Sequence, residues 1–137
     1  MRPVTRQLLS CTFAALVLVA AATAAFGAQG ATPRPEVLQI TEAVIAAVNG
    51  TNTAVDGLAK DFFTTEYQKK QTPEERRKWF EAIRTRHGKI QREALRREAP
   101  DTFIIIASGE KSGTLNIAVT HDEAYKVTNL DVRQPGQ

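Results

Sequence analysis

The sequence predicts an α+β domain, in which a run of helices is followed by a run of antiparallel strands. In the first half of the chain, apolar residues recur at intervals of three and four, as in amphipathic helices. In the second half, short β-branched or alternating segments are separated by turn residues. This segregation indicates that the helices pack on one face of an antiparallel meander.

The N-terminal segment is predicted to be a secretory signal peptide rather than part of the fold. Arg2 and Arg6 precede a long apolar run, and small residues follow it. We expect cleavage between Ala24 and Gly30, and export to the bacterial periplasm or beyond the cell. An uncleaved membrane anchor is the alternative, because residues 8–26 are nearly long enough to span a bilayer. The predicted organisation is 1–28 signal peptide, 29–34 linker, 35–133 single α+β domain and 134–137 tail.

The composition argues against several classes of function. Cys11 is the only cysteine and lies in the signal peptide, so we expect no disulfide and no zinc–sulfur site in the mature chain. The net charge of +3 falls to +1 when Arg2 and Arg6 are removed. Residues 66–98 carry eleven lysines and arginines against six acids, and this interleaving favours a solvated face over a nucleic-acid surface. We therefore expect no nucleic-acid partner, no metal and no cofactor.

Four helices are predicted, and the best-marked one begins after Thr72. Thr72 can cap this helix, Glu75 completes a capping box three residues later, and Gly88 can end it. Trp79 lies on the apolar stripe of the helix, so we expect it to anchor the core against the sheet. That stripe comprises Trp79, Phe80, Ile83 and His87. The predicted helices cover residues 35–48, 53–63, 65–71 and 73–87.

Three strands are well marked and a fourth is ambiguous. Thr102–Ser108 is strongly β-branched, and Thr114–Thr120 alternates between apolar and polar residues. The apolar pattern of the last strand changes phase, which predicts a bulge near Thr128 and Asn129. Lys89–Glu98 has a helical composition, but Gly88 precedes it and Pro100 follows it closely. We interpret it as a strand, with a helix as the open alternative. The predicted strands cover residues 89–98, 102–108, 114–120 and 125–133.

The candidate ligand-binding residues are Trp79, Phe80, His87 and Tyr125, and no catalytic residue is assigned. His87 ends the apolar stripe, where the helix dipole favours a protonated imidazole. We therefore expect His87 to be structural, with a pKa above about 6.5. His121 lies beside two acids, and we interpret that segment as a solvated turn. The sequence shows no nucleophile elbow, phosphate loop or dinucleotide fingerprint.

Several short motifs together resemble a known family. A helix ends in Asn49-Gly50, the main helix opens with Pro73–Arg76 (PEER), and it closes with His87-Gly88 before the first strand. In this order the chain resembles the small cystatin-like, or nuclear-transport-factor-2-like, α+β modules of bacterial exported proteins. It looks most like those that precede serine hydrolases of the β-lactamase/esterase kind. The resemblance covers about Val37–Arg133 and implies a cystatin-like fold without catalytic residues.

These observations favour an exported, non-catalytic binding or accessory module. We expect it to offer a modest apolar pocket or a dimer face, with an exported hydrolase or a second copy of the chain as partner. The alternative is a small enzyme of the cone-shaped fold related to isomerases, dehydratases and hydrolases. Its cavity would take a catalytic group from His87, Tyr67 or Tyr125.

Overall fold

The computed structural model describes residues 32–135, and the helices of that region precede its strands along the chain. The α+β class predicted from the sequence is therefore confirmed. The predicted signal peptide, half of the predicted linker and the last two residues of the tail lie outside the described residues. Every helix within residues 32–135 is too short or too polar to cross a membrane. The elements are α1 Pro35–Asn49, α2 Asn52–Phe62, α3 Thr65–Lys69, α4 Pro73–His87, β1 Ile90–Ala99, β2 Thr102–Gly109, β3 Gly113–His121 and β4 Val127–Arg133.

The four strands form one antiparallel sheet in the order β1-β2-β3-β4. The ambiguous segment Lys89–Glu98 forms most of β1, so its interpretation as a strand is confirmed. The pairing of β1 with β2 shifts register at Glu93 and again at Glu98. The pairing of β3 with β4 passes over Thr128, which confirms the predicted bulge.

The helices cover one face of the sheet and form the main core with it. On that face the central strands contribute alternate residues, in keeping with the two-residue period of a strand. They are Phe103, Ile105 and Ala107 of β2 and Leu115, Ile117 and Val119 of β3. The helical side of the core is built chiefly by Ile40, Val44, Val48, Val55, Leu58 and Phe80.

The opposite face of the sheet is also partly closed. Ile104 and Ala118 point away from the helices, yet they are only 1% and 3% exposed. Arg133 of β4 bonds both carboxylate oxygens of Glu98 on β1 at 3.2 Å. Because β2 and β3 lie between those strands, this ion pair crosses the face on which Ile104 and Ala118 lie.

Helix α4 begins and ends as its sequence predicts. The Thr72 hydroxyl accepts from the Glu75 amide at 3.2 Å, and the Glu75 carboxylate accepts from the Thr72 amide at 2.8 Å. Gly88 ends the helix with a φ of 71°. The buried stripe differs from the predicted one, because Arg76 takes part in it and Trp79 is only half-buried. The expectation that Trp79 anchors the core is therefore wrong: it packs at the rim, and Phe80 lies in the centre.

Three arginines fasten α4 to the other three helices. Arg76, 5% exposed, donates to two carbonyl oxygens at and just after the end of α3, at 3.1 and 3.3 Å. Arg77 forms a bidentate pair with Asp56 of α2 and lowers the pKa of that carboxyl. Arg84 donates to two carbonyl oxygens in the last turn of α1, at 2.6 and 3.1 Å. Some of the arginines that make residues 66–98 basic therefore hold the helices together.

Candidate functional site

The four candidate residues from the sequence are distributed over separate parts of the domain. Trp79 and Phe80 are in edge-to-face contact, with ring centroids 4.9 Å apart, and Phe80 is buried in the core. His87 lies at the end of α4 against the loop between β2 and β3. Tyr125 lies in the turn between β3 and β4. Because that loop and that turn are at opposite ends of β3, His87 and Tyr125 do not share one pocket.

His87 is buried, contrary to the helix-end interpretation of its sequence. Its side chain is 2% exposed, and its Nδ1 shares a hydrogen bond with the Ser112 hydroxyl. Burial, and to a smaller extent the charge of Arg86, lowers the pKa of His87 below its ordinary value. The expected rise of that pKa is therefore wrong. The physical reason is that the loop after β2 covers the imidazole and removes it from water.

Backbone contacts hold this loop against the end of α4. The Lys111 amide donates to the His87 carbonyl at 3.0 Å, and the Glu110 amide donates to the Lys89 carbonyl at 3.0 Å. The approach is close, since a Cβ on Gly109 would lie 2.7 Å from the His87 carbonyl oxygen. Only glycine therefore fits at the last residue of β2 without a shift of the backbone. We call residues 87–89 and 110–112 the latch.

Tyr125 stands outside the last strand, which begins at Val127 rather than at the predicted residue 125. Its φ of 56° is rare for a bulky residue. The Tyr125 ring stacks on His121 with centroids 4.7 Å apart, and the Arg34 guanidinium lies 6.0 Å from its centre. His121 in turn contacts Phe103. This stack connects the start of α1 to one end of the sheet, so the structure gives Tyr125 a packing role.

Tyr67 is the third residue that the enzyme alternative considered as a catalytic group, and its side chain is bound to the edge of β4. Its hydroxyl accepts from the Leu130 amide at 2.9 Å. Burial raises the pKa of this phenol above its ordinary value, so it stays neutral near pH 7. The groups named for the enzyme alternative, His87, Tyr67 and Tyr125, therefore occupy three different environments in the described structure.

A cleft that the sequence did not predict lies between α1 and β1. It has a volume of about 260 Å³ and is lined by Thr41, Glu42, Ile45, Ala46 and Arg92. The Thr41 hydroxyl donates to a carbonyl of its own helix at 2.7 Å, so it does not serve as a free polar group. The lining is therefore largely apolar, with one potential anion and one potential cation beside it. One sequence signal for it is Ile45, which widens the apolar stripe that Ile40, Val44 and Val48 form on α1.

Neither a metal-binding cluster in residues 32–135 nor a similarity to known proteins identifies a functional site. Among residues 32–135, no group of three or more histidine, cysteine, aspartate or glutamate side chains is placed to hold a metal ion. Comparisons with protein-family models, with curated proteins and with solved structures found no match to this chain.

Proposed function

We propose that this chain is an exported, non-catalytic accessory module that binds a partner protein through the α1–β1 cleft. The proposal includes a cystatin-like, or nuclear-transport-factor-2-like, fold. The features that support this fold are the helices gathered on one face of a four-stranded meander and the Pro-Glu-Glu-Arg helix that leads through His87-Gly88 into β1.

The size of the cleft carries the proposal of a protein partner. Pockets for drug-sized ligands and cofactors span about 300–1,000 Å³ and bury most of the ligand. The cleft has about 260 Å³, which suits one apolar side chain better than a free cofactor. A single apolar anchor in a small pocket with a polar rim is the usual form of a protein–protein hot spot.

The residues around the cleft define the chemistry of the partner. Ile45 is half-buried and supports the apolar wall, whereas Ala46 is exposed and leaves room above it. Glu42 and Arg92 are both exposed and line the same cleft. The matching partner segment has one aliphatic or aromatic side chain flanked by charges complementary to Glu42 and Arg92.

Filling the cleft tests this proposal. Ala46→Arg places a long cation over the cleft without altering the buried core, since Ala46 is exposed. Ala82→Arg makes the same change at an exposed position of α4 and serves as the control. Peptides selected from a random display library for binding to the wild-type domain should carry one apolar anchor. They should lose at least about tenfold in affinity on Ala46→Arg, which is about 1.4 kcal/mol, and bind Ala82→Arg normally.

Three outcomes separate the alternatives. If no peptide is selected, or if selected peptides bind Ala46→Arg as well as wild type, the cleft is not the binding site. A wild-type dimer in sedimentation equilibrium that Ala46→Arg converts to a monomer would identify a second copy as the occupant. That result would overturn the proposal of a different partner protein while retaining the cleft.

A further inference from the structure

We propose that the latch is a pH-sensitive device, in which protonation of His87 releases the β2–β3 loop from the end of α4 while the core stays folded. The proposal does not depend on the function proposed for the α1–β1 cleft. It concerns a different part of the domain and is tested by a different measurement.

The first support for it is that an ionisable side chain lies under a thin cover. The His87 side chain is 2% exposed, but Glu110, Lys111 and Ser112, which cover it, are themselves exposed. Two backbone hydrogen bonds and the contact between the His87 imidazole and Ser112 hold this cover in place. Two longer side-chain bonds at exposed positions add to them, from the Lys89 amide to the Glu110 carboxylate and from Lys111 to the Thr85 carbonyl. A segment with few buried contacts can open locally at much lower free energy than global unfolding. Opening the loop would return the imidazole to water.

The second support is the charge of the surroundings. Two cations lie on the elements around His87: Arg86 of α4, whose charge disfavours the protonated imidazole, and Lys111 of the loop, whose Nζ lies 3.5 Å from the Thr85 carbonyl. Arg84 of α4 is turned toward the carbonyl groups of α1, and Lys89 at the start of β1 is exposed. Glu110 is the single acid in the latch, and its carboxylate accepts from the Lys89 amide at 3.3 Å. The negative end of the α4 dipole favours a cation, but the His87 carbonyl there already accepts from the Lys111 amide.

Protonation therefore destabilises the closed latch through burial and charge rather than through loss of the hydrogen bond itself. An imidazolium Nδ1–H could still donate to the Ser112 hydroxyl. It would, however, be a desolvated cation beside the positive charge of Arg86.

The direction of the pH effect follows from linkage. The closed latch lowers the pKa of His87 by desolvation and by the charge of Arg86, whereas the open latch restores a value near 6.5. The open state therefore binds the proton more tightly. The contribution of His87 to the closed state is complete above about pH 6.5 and is lost as the pH falls toward the lower pKa. Within that window the opening constant rises by up to about tenfold per pH unit.

Amide hydrogen exchange of the whole chain tests the proposal between pH 7.5 and pH 5. The reporters are the Glu110 and Lys111 amides, which donate across the latch, and the Ile105 and Ile117 amides in the core strands serve as references. After correction for intrinsic exchange, protection of the two latch amides should fall by up to about tenfold per pH unit below 6.5. The core amides should keep their protection.

Variants assign the effect to His87. His87→Gln keeps a side chain that can hydrogen-bond to Ser112 and should remove the pH dependence of the latch amides. His121→Gln, which changes the other histidine of residues 32–135, should leave it in place. Latch protection that does not change with pH, or a pH dependence that persists in His87→Gln, would overturn the proposal. Equal loss of protection in the core would also do so.

A direct titration gives the proposal a second test if His87→Gln does not fold. In the wild-type protein, the His87 ring resonances should follow a pKa below the ordinary histidine value, and the amide shifts of the loop should change with the same midpoint. A His87 pKa at or above the ordinary histidine value would overturn the proposal.

Discussion

The two edges of the sheet are covered differently. The segment that joins α2 to α3 lies along the β4 edge, whereas on the β1 edge the Asn49 side chain of α1 bonds only the backbone of the first strand residue, Ile90. On the β4 side, Phe63 forms a parallel bridge with Val127, and the Thr64 amide donates to the Val127 carbonyl at 3.0 Å. The Tyr67 hydroxyl accepts from the Leu130 amide. Aromatic rings and local backbone groups thus cover this edge, in the way that protein chains commonly protect exposed strands.

The β1 edge is protected by other means. The Asn49 side chain donates to the Ile90 carbonyl at 2.8 Å and accepts from the Ile90 amide at 2.7 Å, so it imitates a neighbouring strand at that one residue. Beyond Ile90 the strand consists mainly of exposed arginine and glutamate residues and has two register shifts. Charged side chains and bulges discourage the addition of another strand.

This difference explains why one edge strand was easier to predict than the other. A strand that is covered keeps apolar residues on its inner face, and β4 retains that pattern on both sides of its bulge. A strand that is protected by charge takes on a composition of Arg, Glu, Gln and Ala, which resembles a helix. Lys89–Glu98 was ambiguous for this reason, and Gly88 before it and Pro100 after it were the better guides.

The largest effect is expected when the cover of the β4 edge is removed. Phe63 is 6% exposed and packs on Tyr67 with ring centroids 4.7 Å apart. Phe63→Ala should lower the free energy of unfolding by about 3–5 kcal/mol, a large share of the roughly 5–15 kcal/mol typical of a domain. Leu95→Ala on β1, where the side chain is half-buried, should cost about 1 kcal/mol. Urea denaturation measures both, and equal losses would show that the two edges are supported alike.

An intermediate effect is expected from the side chains that bind edge backbone groups. Asn49→Ala removes the two hydrogen bonds to the amide and the carbonyl of Ile90, and each such bond contributes about 0.5–1.5 kcal/mol net. Tyr67→Phe leaves only the Leu130 amide unpaired, so it should destabilise by about half as much. The denaturation midpoints of the two variants compare their losses of unfolding free energy, provided that the m-value is unchanged. A smaller loss for Asn49→Ala than for Tyr67→Phe would mean that water replaces the Asn49 amide.

Removing charges from the β1 edge should have the smallest effect on stability. It should, however, have a measurable effect on self-association. The double substitution Glu93→Val and Arg96→Val at exposed positions should lower the free energy of unfolding by only about 0.5 kcal/mol, the cost of the exposed hydrogen bond from Ser108 to Glu93. It should nevertheless promote self-association, because the edge loses its charges. The matched control is Glu74→Val with Lys78→Val on the exposed face of α4. Light scattering over a concentration series measures the self-association of both double variants. Equal self-association of the two would contradict the proposed role of the β1 charges.

The candidate site was harder to predict than the fold. The sequence placed His87 on an apolar stripe, but its burial depends on Ser112 and the loop around it, which lie about 25 residues further along the chain. The α1–β1 cleft likewise forms only where Ala46 of α1 meets Arg92 of β1. Both features depend on contacts between distant segments, so local periodicity carries little information about them.

Local sequence patterns were sufficient to predict the α+β class, the capping box of Thr72 and Glu75, and the bulge near Thr128. Each of these depends on neighbouring residues, whose spacing sets the available hydrogen bonds. The tertiary structure decided which long side chains enter the interior. Arg76 is buried because the carbonyl groups at the end of α3 satisfy its guanidinium, and this leaves Trp79 at the rim. The pKa of His87 is lowered because a distant loop removes its imidazole from water, and this outweighs the helix dipole on which the sequence-based expectation relied.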